Sequence, residues 1–80
     1  MKKNEILKDL NEIFKENIND SIDIQLDESL SQYIADSVSF IKIIVAVEVL
    51  YDIEFTDSEL DVDNFTTVQS MVDFIYDKTK

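Results

Sequence analysis

The sequence predicts an all-α fold, a small four-helix bundle of three longer helices plus one short one, in a single domain spanning residues 1–80. Three observations carry that reading. Apolar residues recur at helical spacing near both ends of the chain, two capping signals fall in its last third, and no Gly or Pro divides any apolar run.

In the first segment Ile6, Leu7, Leu10, Ile13, Phe14 and Ile18 share one helical face, while Lys8, Asp9, Glu12, Lys15 and Glu16 occupy the other. This spacing predicts a helix over about 4–18. Asn19-Asp20-Ser21 stops the pattern. Residues 19–36 then show no sustained period, although Ile22, Ile24, Leu26, Leu30 and Ile34 are spaced to pin a long ordered connection to a core. Connections of that length without regular structure are often functional, which draws attention to the residues at its end.

Residues 38–55 are dense in β-branched side chains, which suit a buried strand, yet the run is longer than most strands and has no breaker. Its length favours a helix over about 37–52, with Asp36-Ser37 supplying a cap. Such a helix is apolar around nearly its whole circumference, so one face meets a core and the surplus faces a partner or the covering loop. Thr56-Asp57-Ser58-Glu59 has the spacing of a capping box and opens a short turn near 57–62. Thr66-Thr67-Val68-Gln69 gives a second such signal, and Val68, Met71, Val72, Ile75 and Tyr76 mark one face of a closing helix over about 67–78. The expected core comprises Leu7, Leu10, Phe14, Ile44, Val47, Leu50, Val68, Val72 and Ile75.

Eighty residues leave little room for a deep enclosed cavity. With neither Cys nor His, the chain lacks disulfides, thiolate metal sites and the commonest acid/base side chain. The net charge of −11 sets 18 acids against 7 lysines. This charge repels nucleic acid and anionic membranes, keeps a small domain monomeric, and speeds encounters with basic partners. No apolar run reaches the length of a membrane span, and the start of the chain leads into an amphipathic pattern instead of a signal peptide, so a cytoplasmic protein is expected.

One serine stands apart, because Ala35-Asp36-Ser37-Val38 closes the long connection and opens the most apolar helix. A hydroxyl at a helix N-terminus is accessible, and the N–H dipoles there favour a phosphoryl group attached to it. The plain alternative is that Ser37 is only a cap.

With these residues in place, the chain resembles the acyl and peptidyl carrier proteins of fatty-acid, polyketide and nonribosomal-peptide synthesis. The resemblance spans essentially the full length: an amphipathic first helix, a long loop, Asp36-Ser37-Val38 at the head of the second helix, Tyr51-Asp52-Ile53-Glu54-Phe55, and Phe65-Thr66-Thr67-Val68-Gln69 before the last. It implies a free-standing carrier, itself not an enzyme, whose Ser37 receives 4′-phosphopantetheine from coenzyme A through a magnesium-dependent phosphopantetheinyl transferase. Asp36 would assist recognition by that transferase. The arm's thiol then holds acyl or aminoacyl intermediates as thioesters for loading and condensing enzymes.

Two positions depart from the family pattern: Ile34 stands where a glycine is usual, and Val38 where a leucine is. The second helix also lacks the acidic run of fatty-acid carriers, showing Ser39, Lys42 and Val49 instead. This resembles carriers of specialised polyketide or peptide pathways, with a fatty-acid-synthesis carrier as the alternative. On that reading client enzymes bind through Val38, Ile41 and Val45, while Glu48, Asp52 and Glu54 speed encounter.

Two readings of other classes compete. A calcium loop is suggested by Asp57, Glu59, Asp61 and Asp63, but that motif needs a Gly and a Glu at its twelfth position. An interaction module without a prosthetic group would use the apolar surplus of the second helix as a docking face.

Overall fold

The computed structural model describes residues 2–59 and 65–79. Helix α1 spans Lys3–Asn17, a 3₁₀ turn spans Leu30–Gln32, α2 spans Ser37–Tyr51 and α3 spans Val68–Thr79. Among the described residues the fold is all-helical, without a strand, and α1 packs against both α2 and α3. No helix among them is long and apolar enough to cross a membrane.

Each helix forms where its apolar spacing allows one side to be buried. Ile6, Leu10, Ile13 and Phe14 line the inner face of α1, and Val68, Met71, Val72 and Ile75 that of α3. Helix α1 ends at Asn17, and Ile18, expected on its face, is about one-third exposed just beyond it. Helix α2 buries Phe40, Ile43, Ile44 and Val47, and the strand-like composition yields to this packing.

Leu50 is a correction. Expected in the core, it is 52% exposed, because the buried arc through Phe40, Ile44 and Val47 continues one turn on to Tyr51 instead. Tyr51 packs against the core and donates its hydroxyl proton to Asp9 Oδ2 at 2.8 Å. Leu7 is only partly buried against the core. Aromatic rings carry much of the remainder: Phe40 meets Phe65, Phe65 meets Phe74 edge to face, and Phe74 stacks on Phe55 at 5.5 Å between centroids.

The short helical element is a second correction. The one described is the 3₁₀ turn at Leu30–Gln32, inside the connection that showed no helical period. Three residues are too few to show one, and the turn is held locally by Ser29, whose hydroxyl accepts from the Ser31 N–H. At the expected position near 57–62, Thr56 N–H donates to Glu59 Oε1 at 2.8 Å and Glu59 N–H to the Thr56 carbonyl at 3.0 Å, which is a capping-box contact closing a turn. The rest of that expected element lies outside the described residues, as do Asp61 and Asp63.

A third correction moves the cap of α3 by one residue. Thr67 and Ser70 exchange reciprocal bonds, Ser70 N–H to Thr67 Oγ1 and Thr67 N–H to Ser70 Oγ, both 3.1 Å. The box therefore starts at Thr67 instead of Thr66.

Candidate functional site

The connection after α1 is an ordered scaffold that sets the position of α2. Ile24, Leu30 and Ile34 are buried, Ile22 is partly so and Leu26 is exposed. Asn11 Oδ1 accepts the Ile24 N–H at 2.8 Å, tying the loop to α1. On the other side the loop pairs with the start of α3: Leu30 N–H donates to the Thr66 carbonyl, while Val68 and Gln69 N–H donate to the Glu28 and Leu26 carbonyls. The first N–H groups of α3, which a helix cannot satisfy itself, are thus taken up by loop carbonyls. One loop bridges two helices and delivers the chain to the head of the third.

Tyr33 tightens the same loop. Its ring meets Phe14 edge to face, and its hydroxyl donates to Glu28 Oε1. That bond to a carboxylate, with burial and the Glu28 charge, pushes the phenol up to about 12.

At the end of this scaffold Asp36 is extended (φ −145°, ψ 169°), and its Oδ1 accepts the Ser39 N–H at 2.7 Å. Asp36 is therefore the cap of α2, and Ser37 is its first helical residue. The bond from Ser39 N–H, aided by the positive charge of Lys42, holds the Asp36 carboxyl below the ordinary range. Ser37 is exposed beside a recess of about 190 Å³ lined by Ile34, Ala35, Asp36 and Ser37. The fit to a phosphoryl group is chemical: an accessible hydroxyl, released from capping by its neighbour, stands among the N–H groups that open α2.

The departure at Ile34 is accommodated. Positive φ among the described residues occurs only at Asp52, so position 34 does not need a glycine, and the Ile34 side chain is buried beneath the recess it helps to line.

The remaining predicted residues fall in two groups. Val38, Ile41 and Val45 are 64%, 42% and 48% exposed and recur at i, i+3 and i+7, forming an outward stripe that starts beside Ser37. Glu48, Asp52 and Glu54 come together at the far end of α2, around a shallow recess shared with Val49, Ile53 and Phe55. Glu48 has a structural task there, since its Oε2 accepts the Phe55 N–H at 2.9 Å. Asp52 ends the helix with φ 55°, a left-handed position usually given to glycine and taken here by a short polar residue in a chain without one.

Sequence reasoning placed Val49 on the outward face of α2, where it is found, but missed the exposure of Leu50. Projected around α2, Val49 continues the Val38–Val45 stripe, a signal that was present; Leu50 lies at the edge of the buried arc, where composition does not decide the side.

A family model described as "phosphopantetheine attachment site" matches residues 8–75. No curated protein matches the chain.

Proposed function

Because the chain belongs to the phosphopantetheine attachment-site family, whose domain is the attachment site of covalently bound 4′-phosphopantetheine, we propose that Ser37 is the residue modified and that the protein is a non-catalytic, single-domain carrier. The observation that supports this reading best is the division of labour at the head of α2. Asp36 makes the cap bond, and the adjacent hydroxyl is left accessible.

In the modification, Ser37 Oγ forms a P–O bond as the pyrophosphate link of coenzyme A breaks and the nucleotide portion leaves. The hydroxyl proton needs a base, and a chain without histidine leaves that task to the transferase. Ser37 supplies the nucleophilic oxygen, the N–H groups of α2 favour the resulting phosphodiester charge, and the exposed Asp36 offers the transferase a recognition handle. Once attached, the group supplies a thiol that carries acyl or aminoacyl groups as thioesters. The chain has no cysteine of its own to compete with it.

Incubation with coenzyme A, magnesium and a broad-specificity transferase, followed by intact-mass measurement, is the test. Wild type gains one phosphopantetheine and Ser37→Ala none. Continued modification of Ser37→Ala would move the site to another of the seven serines.

The pathway proposed is a specialised polyketide or nonribosomal-peptide one, supported by the apolar stripe Val38, Ile41 and Val45 beside Ser37, with Lys42 interrupting the acids. Burying such area contributes about 25 cal/mol per Å² before association costs, and salt leaves that term intact. The acids gathered at Glu48, Asp52 and Glu54 favour the alternative, a fatty-acid-synthesis carrier docking by ion pairs. A client enzyme titrated at low and high salt separates the two. Loss with Ile41→Ala at both salts supports the first reading; loss with Glu48→Gln that vanishes in salt supports the second. Gln retains an acceptor for the Phe55 N–H, so the substitution removes charge without loosening the turn.

A further inference from the structure

The side of α2 that faces α1 carries a second opening. A groove of about 450 Å³ runs between the two helices, lined by Asp9, Glu12, Ile13, Glu16, Ala46, Val49 and Leu50. Its walls are apolar on the α2 side, where Val49 and Leu50 are 78% and 52% exposed. Its other rim is acidic. Glu5, Asp9, Glu12 and Glu16 recur at i, i+4, i+7 and i+11, which places them in one stripe along α1. The lysines of α1 scarcely offset them: Lys15 Nζ reaches Glu12 Oε1 at only 3.9 Å between exposed groups, a contact that contributes little.

From Asp9 to Glu16 the groove extends about 10 Å along the helix, roughly two turns. An exposed apolar floor of that length beside a row of carboxylates complements a helix with apolar side chains at i, i+3 or i+4, and i+7, flanked by Lys or Arg. A second copy of this chain fits poorly, since two surfaces of net charge −11 repel.

We propose that the α1–α2 groove docks a basic amphipathic helix of a partner protein. Leu50 and Val49 receive its apolar side chains, and Glu12 and Glu16 pair with its cations. Asp9 already accepts the Tyr51 hydroxyl and holds that end of the groove in shape. Leu50 lies about 20 Å along α2 from Ser37 and off the Val38–Val45 stripe, so this surface meets the one beside the serine only at Val49 and does not depend on Ser37 being the modified residue.

The test titrates the full chain with a synthetic Leu/Lys amphipathic peptide of about four helical turns, and with a scrambled peptide of the same composition, by fluorescence anisotropy and ¹⁵N chemical-shift mapping. The ordered peptide should bind more tightly than the scrambled one and shift Glu12, Ile13, Glu16, Ala46, Val49 and Leu50. Leu50→Ser should weaken it about tenfold and Glu12→Gln with Glu16→Gln should flatten its salt dependence, while Ile41→Ser leaves it unchanged. Equal affinity of the two peptides would show charge attraction only and overturn the proposal. Shifts centred on Val38 and Ile41, or a concentration-dependent dimer abolished by Leu50→Ser, would overturn it too.

Discussion

Asp36→Ala and Ser37→Ala should dissociate stability from modification. Asp36 Oδ1 holds the Ser39 N–H at 2.7 Å, whereas Ser37 sits one position inside the helix, where alanine is a good helix former. Removing the cap leaves an N–H of the first turn to water and deletes a carboxylate from the positive end of α2. For a domain of this size the loss of one such cap lowers the melting temperature by about 4–8 °C, and the exposure of Asp36 favours the lower end. Ser37→Ala should leave it within about 2 °C. The pH dependence carries a matching sign. Because the folded-state Asp36 carboxyl is held low, its contribution is present above the unfolded carboxylate range and lost as pH falls through the folded value, and Asp36→Ala should remove that acid-side component. Thermal melts followed by circular dichroism at neutral and acid pH, beside intact-mass assays of modification, read both effects. Equal destabilisation by the two substitutions would refute the assignment of the cap to Asp36 and return Ser37 to a structural role.

Other consequences are similarly direct. Ile44→Ala, at a position 2% exposed, should cost about 2–5 kcal/mol in urea unfolding, whereas Leu50→Ala should stay within about 0.5 kcal/mol; comparable losses would put Leu50 back in the core. Asp52→Gly should stabilise by about 0.5–1 kcal/mol, since it relieves a left-handed non-glycine and removes a negative charge from the helix C-terminus, while Asp52→Val should destabilise. With Tyr33 raised from 10.0 to about 12, the stability it contributes is complete below pH 10 and lost as pH rises toward 12; an ultraviolet titration of wild type against Tyr33→Phe should lack a step near 10 for this residue.

Much of the fold is legible in the sequence because burial is one-sided. The helices expected over 4–18, 37–52 and 67–78 form at Lys3–Asn17, Ser37–Tyr51 and Val68–Thr79, the first and last fixed by an apolar stripe that only one face can hide and the middle one legible from its length and the absence of a breaker. Legibility fails where two residues are chemically equivalent at a boundary. Asp36 and Ser37 are both good caps, as are Thr66 and Thr67, and what selects Asp36 is the extended backbone ending there, two residues after the buried Ile34. It fails again at Leu50, because a helix apolar on all sides carries no internal statement of which arc its neighbours will cover.

That ambiguity of α2 is what gives the helix two exposed apolar surfaces, which meet at Val49. Helix α1 and the Phe65 ring, which meets Phe40, cover one side, and the residues left over divide by position along an axis about 22 Å long. Val38, Ile41 and Val45 flank Ser37, and Val49 with Leu50 opens toward the acidic rim of α1. A small domain gains nothing in stability from exposed Val and Leu, and polar residues there would improve solubility. Neither surface is required by the core, which leaves both open to a partner. Ile41 and Leu50 are about 13 Å apart along the helix, far enough for substitutions at the two to act independently. A partner that loses affinity with Ile41→Ser but not Leu50→Ser uses the surface beside the serine; the reverse pattern identifies the groove.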